Sequence, residues 1–301
     1  MTPPRITRFY LPPPHLRLAE AGKDRLINRI SDVLRKADFQ VEFHDTRTAR
    51  SDYDGYTLFS MEPANSERSA SLRECYHPVF HRIEKSNKRW LWDVAKKRFD
   101  QADIDRNRAE AFYRTWQKEL FGDAPAAATR DGSILIPLQA RLTKHRSFQA
   151  SSPVEMIRKT ATRFPDRAIH LTTHPTHSYS SEERAVLGEL IVRFSNVEMF
   201  TGTSTEALAR CDFVVTQNSS VGFHANFFGK PAIHFAKIDF HHIALDVTRV
   251  GPFKAFERIE THEPDYAGYV WWFWQKNAIN LRRVSAEDRI RRRLRKFGWP
   301  I

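Results

Sequence analysis

The sequence contains little cysteine and no long apolar segment. Only two of its 301 residues are cysteines, Cys75 and Cys211, which excludes a disulfide framework and favours a reducing compartment. No stretch approaches the roughly 20 consecutive apolar residues that a membrane-spanning helix needs. The first residues, MTPPRITRFYLPPP, lack the apolar core of a signal peptide. We therefore expect a cytoplasmic protein.

Several common catalytic signatures are also absent. The chain has no Walker phosphate loop, no Gly-x-Gly-x-x-Gly fingerprint and no Gly-x-Ser-x-Gly elbow, so ATPases, dehydrogenases and α/β-hydrolases lose their usual support. Its 13 histidines are not accompanied by Cys-x-x-Cys or His-Glu-x-x-His spacing. Two Asp-x-Asp triplets, at 52–54 and 103–105, are short enough to arise by chance. We expect neither a metal site nor a cofactor.

Apolar and positively charged residues are well represented. Hydrophobic residues make up 41% of the chain and aromatic residues 12%, which is enough for a substantial core. The formal net charge is +12, and half of it comes from the last 21 residues, which contain eight basic and two acidic side chains. A basic chain suits an anionic substrate, and residues 282–296 are candidates for contact with an anionic membrane surface.

Apolar periodicity and turn residues divide the chain into alternating strands and helices. Strands are predicted at 8–11, 40–44, 56–59, 134–139, 168–172, 197–200, 212–216 and 232–235, and helices at 22–37, 79–99, 105–120, 153–164, 180–194 and 203–211. Such alternation is typical of an α/β fold with mostly parallel sheets. A capping box at Ser180–Glu183 marks the start of the helix at 180–194, and Ser285 is predicted to cap the last, basic helix. Because 124–128 resembles a linker, we predict domains at 1–126 and 130–264, followed by an aromatic and a basic helix in 265–301.

Three loops of the second half follow predicted strands, where open parallel sheets bind their ligands. The first loop, 139–151, is basic and contains Lys144. The second begins with His174-Pro175, whose proline ends the strand and leaves an imidazole at the ligand edge. The third is 217–222, within the stretch TQNSSVGFHANFFGKP.

The third loop has two interpretations. Ser219 or Ser220 stands where a helix begins, and either hydroxyl can cap that helix. The same hydroxyls, backbone N–H groups and helix dipole also converge on a point that suits a phosphate or a carboxylate. Gly222 keeps the first helical turn thin. From these residues alone, a helix cap and an anion cradle are equally well supported.

Several segments resemble the bacterial capsule polysaccharide biosynthesis and export proteins, relatives of β-Kdo transferases. They are FVVTQNSSVGFHANFFGKPAIHFAKIDFHHIA, ILIPLQ, THP and YAGYVWWFWQ, with a weaker similarity in YHPVFHRIEKSNKRWLW. Together they span about residues 77–283, in an order and spacing similar to the family's. The family resembles GT-B glycosyltransferases, which implies two Rossmann-like domains facing a cleft and a C-terminal helix that crosses back to the first domain.

The resemblance also implies a function. The second domain would bind a nucleotide sugar, with CMP-Kdo favoured, and the first would bind a saccharide or lipid-linked acceptor. Taken with the three loops, the predicted donor-binding residues are Gln139, Lys144, His174, Pro175, Asn218, Ser219, Ser220, Gly222 and His224. Catalysis without a metal ion is assigned to His174 and to a general base in the first half of the chain. The candidate bases are Glu84, Asp45, His77 and His81, and Glu84 is the one chosen.

One position departs from the family pattern. Family members often carry a glutamate where this chain has His224, and a histidine cannot act as an anionic acceptor. The alternatives are a glycosyltransferase with altered donor recognition, or a non-catalytic protein of the same fold that binds or assembles polysaccharide. The basic residues 282–296 add a third alternative, a binder of membrane surfaces or nucleic acid, but no specific nucleic-acid partner is predicted.

Overall fold

The computed structural model describes residues 3–49, 53–174 and 176–301. Up to residue 121 it contains β1 (Ile6–Leu11), α1 (Pro13–Glu20), α2 (Arg25–Arg35), β2 (Gln40–Asp45), β3 (Tyr56–Ser60), β4 (Ser69–Glu74), β5 (Phe80–Glu84), α3 (Asp93–Lys96) and α4 (Arg106–Phe121). The later elements are β6 (Ile134–Pro137), α5 (Pro153–Arg163), β7 (Ile169–Thr172), α6 (Ser181–Arg193), β8 (Val197–Met199), α7 (Ser204–Arg210), β9 (Phe213–Thr216), α8 (Ser220–His224), β10 (Ala232–His234), β11 (Leu245–Asp246), α9 (Val247–Val250), α10 (Pro252–Arg258), α11 (Tyr266–Val270), β12 (Ile279–Asn280) and α12 (Ala286–Lys296).

The chain forms two compact units. The first comprises Met1–Lys97 and Phe273–Ile301, and the second comprises Arg98–Trp272. This division differs from the boundary predicted at 126–130, because α4 packs within the second unit. There Tyr113 Oη and Gln117 Nε2 donate hydrogen bonds of 2.6 and 2.7 Å to backbone carbonyls of the segment that follows α8.

The first unit contains a mixed sheet in the order β12-β5-β4-β3-β1-β2. Its β1–β2, β1–β3 and β3–β4 pairs are parallel, whereas β4–β5 and β5–β12 are antiparallel. Helix α2 begins at Asp24, whose carboxylate accepts from the N–H groups of Leu26 and Ile27. The apolar faces of α2 and α12 belong to the same hydrophobic core as this sheet.

One predicted element of this unit is wrong. The periodicity of 79–99 predicts a helix, but the structure has the strand β5 followed by short helical turns. Its Ile83 lies opposite Leu72 of β4, so strand pairing buries its apolar residues, and a local sequence pattern does not reveal such pairing. Arg82 and Glu84 therefore lie on a strand.

The basic C-terminal helix α12 is anchored in the first unit. Its apolar side, formed by Ala286, Ile290 and Leu294, is buried in the core, so that side is not free to enter a lipid layer and a membrane contact of this helix would be electrostatic. Ser285 precedes the helix as predicted but forms no side-chain cap. No helix in the described residues is both long and apolar enough to cross a membrane.

The second unit contains a six-stranded sheet in the order β11-β10-β9-β6-β7-β8. All five of its described pairings are parallel. Strands β6, β9 and β10 are buried along their whole length, as expected for a parallel sheet covered by helices. Every strand predicted here from the sequence is present, and α6 has the predicted capping box of Ser180 and Glu183.

Candidate functional site

The three predicted ligand-binding loops emerge at one edge of the second sheet. Strand β6 lies between β9 and β7, and parallel strands end at the same edge. The loop after β6 is therefore the central one. The serine loop, residues 217–222, lies on one side of it, and the loop that contains His174 lies on the other.

Gln139 joins the central loop to the serine loop. Its Oε1 accepts a hydrogen bond of 3.1 Å from the backbone N–H of Asn218. Farther along the central loop, the Ser151 carbonyl accepts a bond of 3.1 Å from Gln217 Nε2. These two contacts tie both residues that precede Ser219 to the central loop, Asn218 through its backbone and Gln217 through its side chain.

The two serines have different surroundings. Ser219 is 9% exposed, and its Oγ accepts a hydrogen bond of 3.2 Å from the N–H of Val221. The helix-cap interpretation is therefore confirmed for Ser219. Ser220 is the first residue of α8 and is half-buried. The anion-cradle interpretation stays a prediction, with Ser220 as its hydroxyl.

Gly222 makes room for a buried histidine. A Cβ at Gly222 would lie 2.6 Å from Cε1 of His234, which is fully buried at the end of β10. Burial lowers the pKa of His234 to about 4, so the imidazole is neutral. Its Nδ1 lies 3.4 Å from the Gln217 carbonyl. His234 is not among the residues predicted from the sequence, although a histidine inside the apolar strand Ala232–His234 is its signal.

This edge of the sheet has an unusual concentration of unsatisfied polar atoms. Buried polar atoms in proteins almost always have hydrogen-bond partners. Six buried side-chain atoms of the central loop, β9, the serine loop and β10 have none within the described residues: Arg146 Nε, Gln149 Nε2, Ser151 Oγ, Thr216 Oγ1, Gln217 Oε1 and His234 Nε2. They include both donors and acceptors, so they suit a polar ligand with mixed hydrogen-bonding groups.

His174 stands apart from the serine loop. Its backbone N–H donates to Tyr179 Oη at 3.1 Å, and its Nδ1 lies 3.3 Å from the N–H of Thr176. The side chain is exposed. Within the described residues no hydrogen bond joins it to residues 217–222, because β6 separates the two strands that carry them. Pro175 lies outside the described residues.

Glu183 connects the two loops on the His174 side. Its Oε1 accepts a bond of 2.8 Å from the Leu142 N–H, and its Oε2 accepts one of 2.9 Å from the Ser180 N–H. Burial alone would raise the pKa of this carboxyl, but the backbone N–H donors outweigh burial and lower it. Glu183 was predicted only as part of the helix cap. The nearby Lys144 is exposed.

His224 packs against an aromatic side chain. Its ring meets that of Phe121 edge to face, with centroids 5.5 Å apart and an interplanar angle of 70°. Phe121 is the last residue of α4. The residue at the position of the family glutamate thus takes part in packing between α8 and α4.

Glu84, the predicted base, belongs to the first unit. It is 3% exposed, and its Oε2 accepts hydrogen bonds from Arg293 Nη2 and, at 3.3 Å, from the Asp93 N–H. Burial raises its pKa even though Arg293 and Arg82 favour the charged form. The carboxylate is therefore held in a buried ion pair.

Two of the other candidate bases, His81 and Asp45, also have shifted pKa values. Burial lowers the pKa of His81 to about 4. Hydrogen bonds from Arg47 lower the pKa of Asp45 to about 2, which makes Asp45 a weak base. No group of three or more histidine, cysteine, aspartate or glutamate side chains in the described residues could hold a metal ion.

These features define a protein of the α/β class with two parallel-dominated sheets, the GT-B-like architecture predicted from the sequence. Its fold is similar to that of Thermosulfurimonas dismutans KpsC, beta Kdo 2,7 transferase, with a TM-score of 0.56 and 13% identity over 98% of this chain and 99% of that one. The comparison with T. dismutans KpsC, beta Kdo 2,4 transferase, has a TM-score of 0.49 and a sequence identity of 11%, and it covers 87% of this chain and 88% of that one. No protein-family model matches the chain, and no curated protein is a significant match. The first similarity confirms the fold that the sequence motifs imply.

Proposed function

We propose that the protein is a glycosyltransferase that uses a nucleotide-activated sugar to build a capsular or other surface polysaccharide. The observation that carries the proposal is the ligand edge of the second sheet, where Gln139 holds the serine loop beside buried polar atoms that have no partner among the described residues. The fold similarity to a KpsC β-Kdo transferase supports CMP-Kdo, or a close analogue, as the donor.

The serine loop is the proposed site of the donor phosphate. Ser219 holds the start of α8, so the Ser220 hydroxyl and the first N–H groups of the helix supply neutral donors to an oxyanion. When the bond from sugar to phosphate breaks, negative charge develops on the phosphate and positive charge on the sugar. Fixed hydrogen-bond donors at the phosphate favour that charge separation. His174 is proposed to bind the same phosphate.

An acceptor hydroxyl must also lose its proton. Glu84 stays the predicted base, although in this structure its carboxylate is paired with Arg293. The proposal assigns no role to a metal ion. We expect transferase activity to survive EDTA, whereas loss of activity that Mg²⁺ restores would overturn the metal-free mechanism.

Donor binding tests the proposed function directly. The melting temperature of the full chain would be measured with CMP, CMP-Kdo, UDP-sugars and GDP-sugars, and we expect the cytidine compounds to stabilise it most. Ser220→Ala removes one hydrogen bond to a charged group and should weaken binding about tenfold or more. Ser195→Ala is the matched control, because Ser195 is exposed and precedes β8 at the opposite edge of the sheet.

The outcomes separate the alternatives. Failure of every nucleotide and nucleotide sugar to stabilise the chain would contradict the proposal. Binding of a saccharide without binding of any nucleotide would instead select the non-catalytic polysaccharide-binding protein. If Ser220→Ala and Ser195→Ala changed nucleotide binding equally, the serine loop would not be part of the donor site.

A further inference from the structure

The first unit contains a pocket that is separate from the proposed donor site and whose wall includes Glu84, the predicted base. It has a volume of about 410 Å³, which lies in the lower part of the range of small-molecule sites. Its walls come from β5, from residues 93–97, from 276–279 and from α12. All of these segments belong to the first unit.

The pocket wall is strongly cationic. Seven of its side chains are basic: Arg82, Lys97, Lys276, Arg289, Arg292, Arg293 and Lys296. Only two are carboxylates, Glu84 and Asp93. Both carboxylates are already engaged, because Arg293 pairs with both of them and Lys296 pairs with Asp93. The wall therefore carries an excess of five positive charges.

Three of the remaining cations form hydrogen bonds only to neutral atoms. Lys97 Nζ donates to the side-chain oxygen of Asn277 at 2.6 Å. Arg289 donates to backbone carbonyls in 275–278, the shortest of these bonds being 2.7 Å. Arg292 reaches only a carbonyl of its own helix, at 3.4 Å. Within the described chain none of the three forms an ion pair, so their charges are not neutralised.

Arg82 is a buried cation with incomplete partners. It is 5% exposed, and its Nη1 lies 3.9 Å from Glu84, the carboxylate that Arg293 already holds. Its Nη2 donates to the Phe273 carbonyl at 3.3 Å, and its buried Nε has no partner in the described residues. A buried guanidinium normally needs full hydrogen bonding and a counter-charge.

The cations also disturb one another. Burial and then the charge of Arg82 lower the pKa of Lys97. Burial and then the charge of Arg292 lower the pKa of Arg289. Both shifts show like charges held close together in a partly enclosed space, which an anion would relieve.

We propose that this pocket binds the phosphate group of an anionic ligand. A phosphate monoester carries a charge of about −1.5 to −2 and three strong acceptor oxygens, whereas a carboxylate carries one charge. One arginine guanidinium group can bind two phosphate oxygens at once through parallel hydrogen bonds, and a lysine ammonium group adds a compact positive charge. The phosphodiester of a phospholipid headgroup carries a single negative charge, but it presents anionic phosphate oxygens to the same guanidinium and ammonium groups. The proposal is independent of the donor site in the second unit.

Binding of defined phosphate probes to the full chain tests the proposal. The soluble probe is glycerol phosphate, and its binding is measured by calorimetry. The membrane probe is a set of phosphatidylcholine vesicles with and without phosphatidylglycerol, and binding to them is measured by co-sedimentation. The pocket variant is Lys97→Gln/Arg292→Gln, which changes two exposed side chains of the wall. The control is Arg291→Gln/Arg295→Gln, which makes the same charge change on α12 outside the pocket wall.

We expect the wild type and the control to bind at least one probe, and the pocket variant to bind it roughly tenfold more weakly or worse. Binding of glycerol phosphate identifies a soluble ligand, and binding of phosphatidylglycerol vesicles alone identifies a lipid headgroup. Equal weakening in both variants would show a diffuse basic surface and overturn the proposal. So would failure of both probes to bind, or unchanged binding by the pocket variant. The melting temperatures of the two variants show that each is folded.

Discussion

The two units present different chemistry at their candidate sites. At the ligand edge of the second sheet, the buried polar groups of the serine loop and of β10 are neutral, namely serine hydroxyls, side-chain amides and His234, whose pKa burial lowers to about 4. The pocket beside α12 in the first unit is lined by permanent cations. Loss of a neutral donor removes one bond, whereas loss of one member of a charged cluster leaves the other charges unbalanced. We therefore expect the largest effects in the first unit.

The largest effect is expected when Arg293 is replaced by methionine. Glu84 would then be a buried carboxylate without its closest cation, beside Asp93. Such a change costs about 3–5 kcal/mol of unfolding free energy, measured by urea denaturation at neutral pH. Burial already raises the pKa of Glu84, so the Glu84 carboxyl keeps its proton to a higher pH in the folded protein than in the unfolded chain. The variant should accordingly regain stability as the pH falls through that raised pKa.

The double variant Glu84→Gln/Arg293→Met separates charge from packing. If the unbalanced carboxylate causes the loss, the double variant recovers most of it at neutral pH and loses the pH dependence. A loss in Arg293→Met below about 1 kcal/mol would mean that the pair behaves as a surface pair. In that case the contrast between the two units would not hold.

A smaller loss is expected for Gly222→Ala in the second unit. The added Cβ would lie 2.6 Å from Cε1 of the fully buried His234 and 3.2 Å from Cγ2 of Thr216. Overpacking of this kind costs about 1–3 kcal/mol. Because the displaced groups belong to the ligand edge, the stabilisation by cytidine nucleotides should also decrease. Urea denaturation and melting with CMP measure the two effects.

Gly188→Ala is the matched control. Gly188 lies inside α6, and a Cβ there would meet no atom within 4 Å. Removing a glycine from a helix interior should stabilise the protein by about 0.5–1 kcal/mol. A wild-type stability for Gly222→Ala would show that His234 can move, and that the neutral site is less tightly packed than the structure indicates.

The fold of the second unit was largely predictable from the sequence, because its signals are local. Buried parallel strands give continuous apolar runs such as Phe213–Thr216, and the Ser180–Glu183 cap is formed by neighbouring residues. The strand β5 was not predictable, because its identity depends on pairing with β4. Helical and strand patterns in short apolar segments are similar.

The candidate sites were predictable only where one segment holds the whole feature. The serine loop is continuous in sequence, and its cap at Ser219 was foreseen. The bond from Gln139 to Asn218 joins residues 79 positions apart. The basic pocket combines Arg82 with Lys97 and with α12, and an unneutralised charge cluster is visible only after the chain has folded.

The smallest effect concerns Glu183, which joins two loops of the neutral site. Glu183→Gln replaces one accepting oxygen by a donor, so one of the bonds from Leu142 and Ser180 is lost. We expect a loss of about 1–2 kcal/mol at neutral pH. The backbone donors lower the pKa of Glu183 below its ordinary value of 4.5. Its contribution is therefore complete above pH 4.5 and disappears as the pH falls through the lowered pKa.

The measurement is the difference in unfolding free energy between Glu183→Gln and the wild type at neutral and acidic pH. The control is Glu206→Gln, because Glu206 forms a capping box with Thr203 at α7 but, in the part of the chain that the structure describes, forms no hydrogen bond with a distant loop. Glu206→Gln should cost less, and it should leave nucleotide binding unchanged. If both variants lose the same stability and both bind CMP as the wild type does, then the bond to Leu142 does not hold the central loop. The central loop would then be held by its other contacts, which are the bonds of Gln139 and Gln217 and the backbone bonds to Phe235 and Lys237.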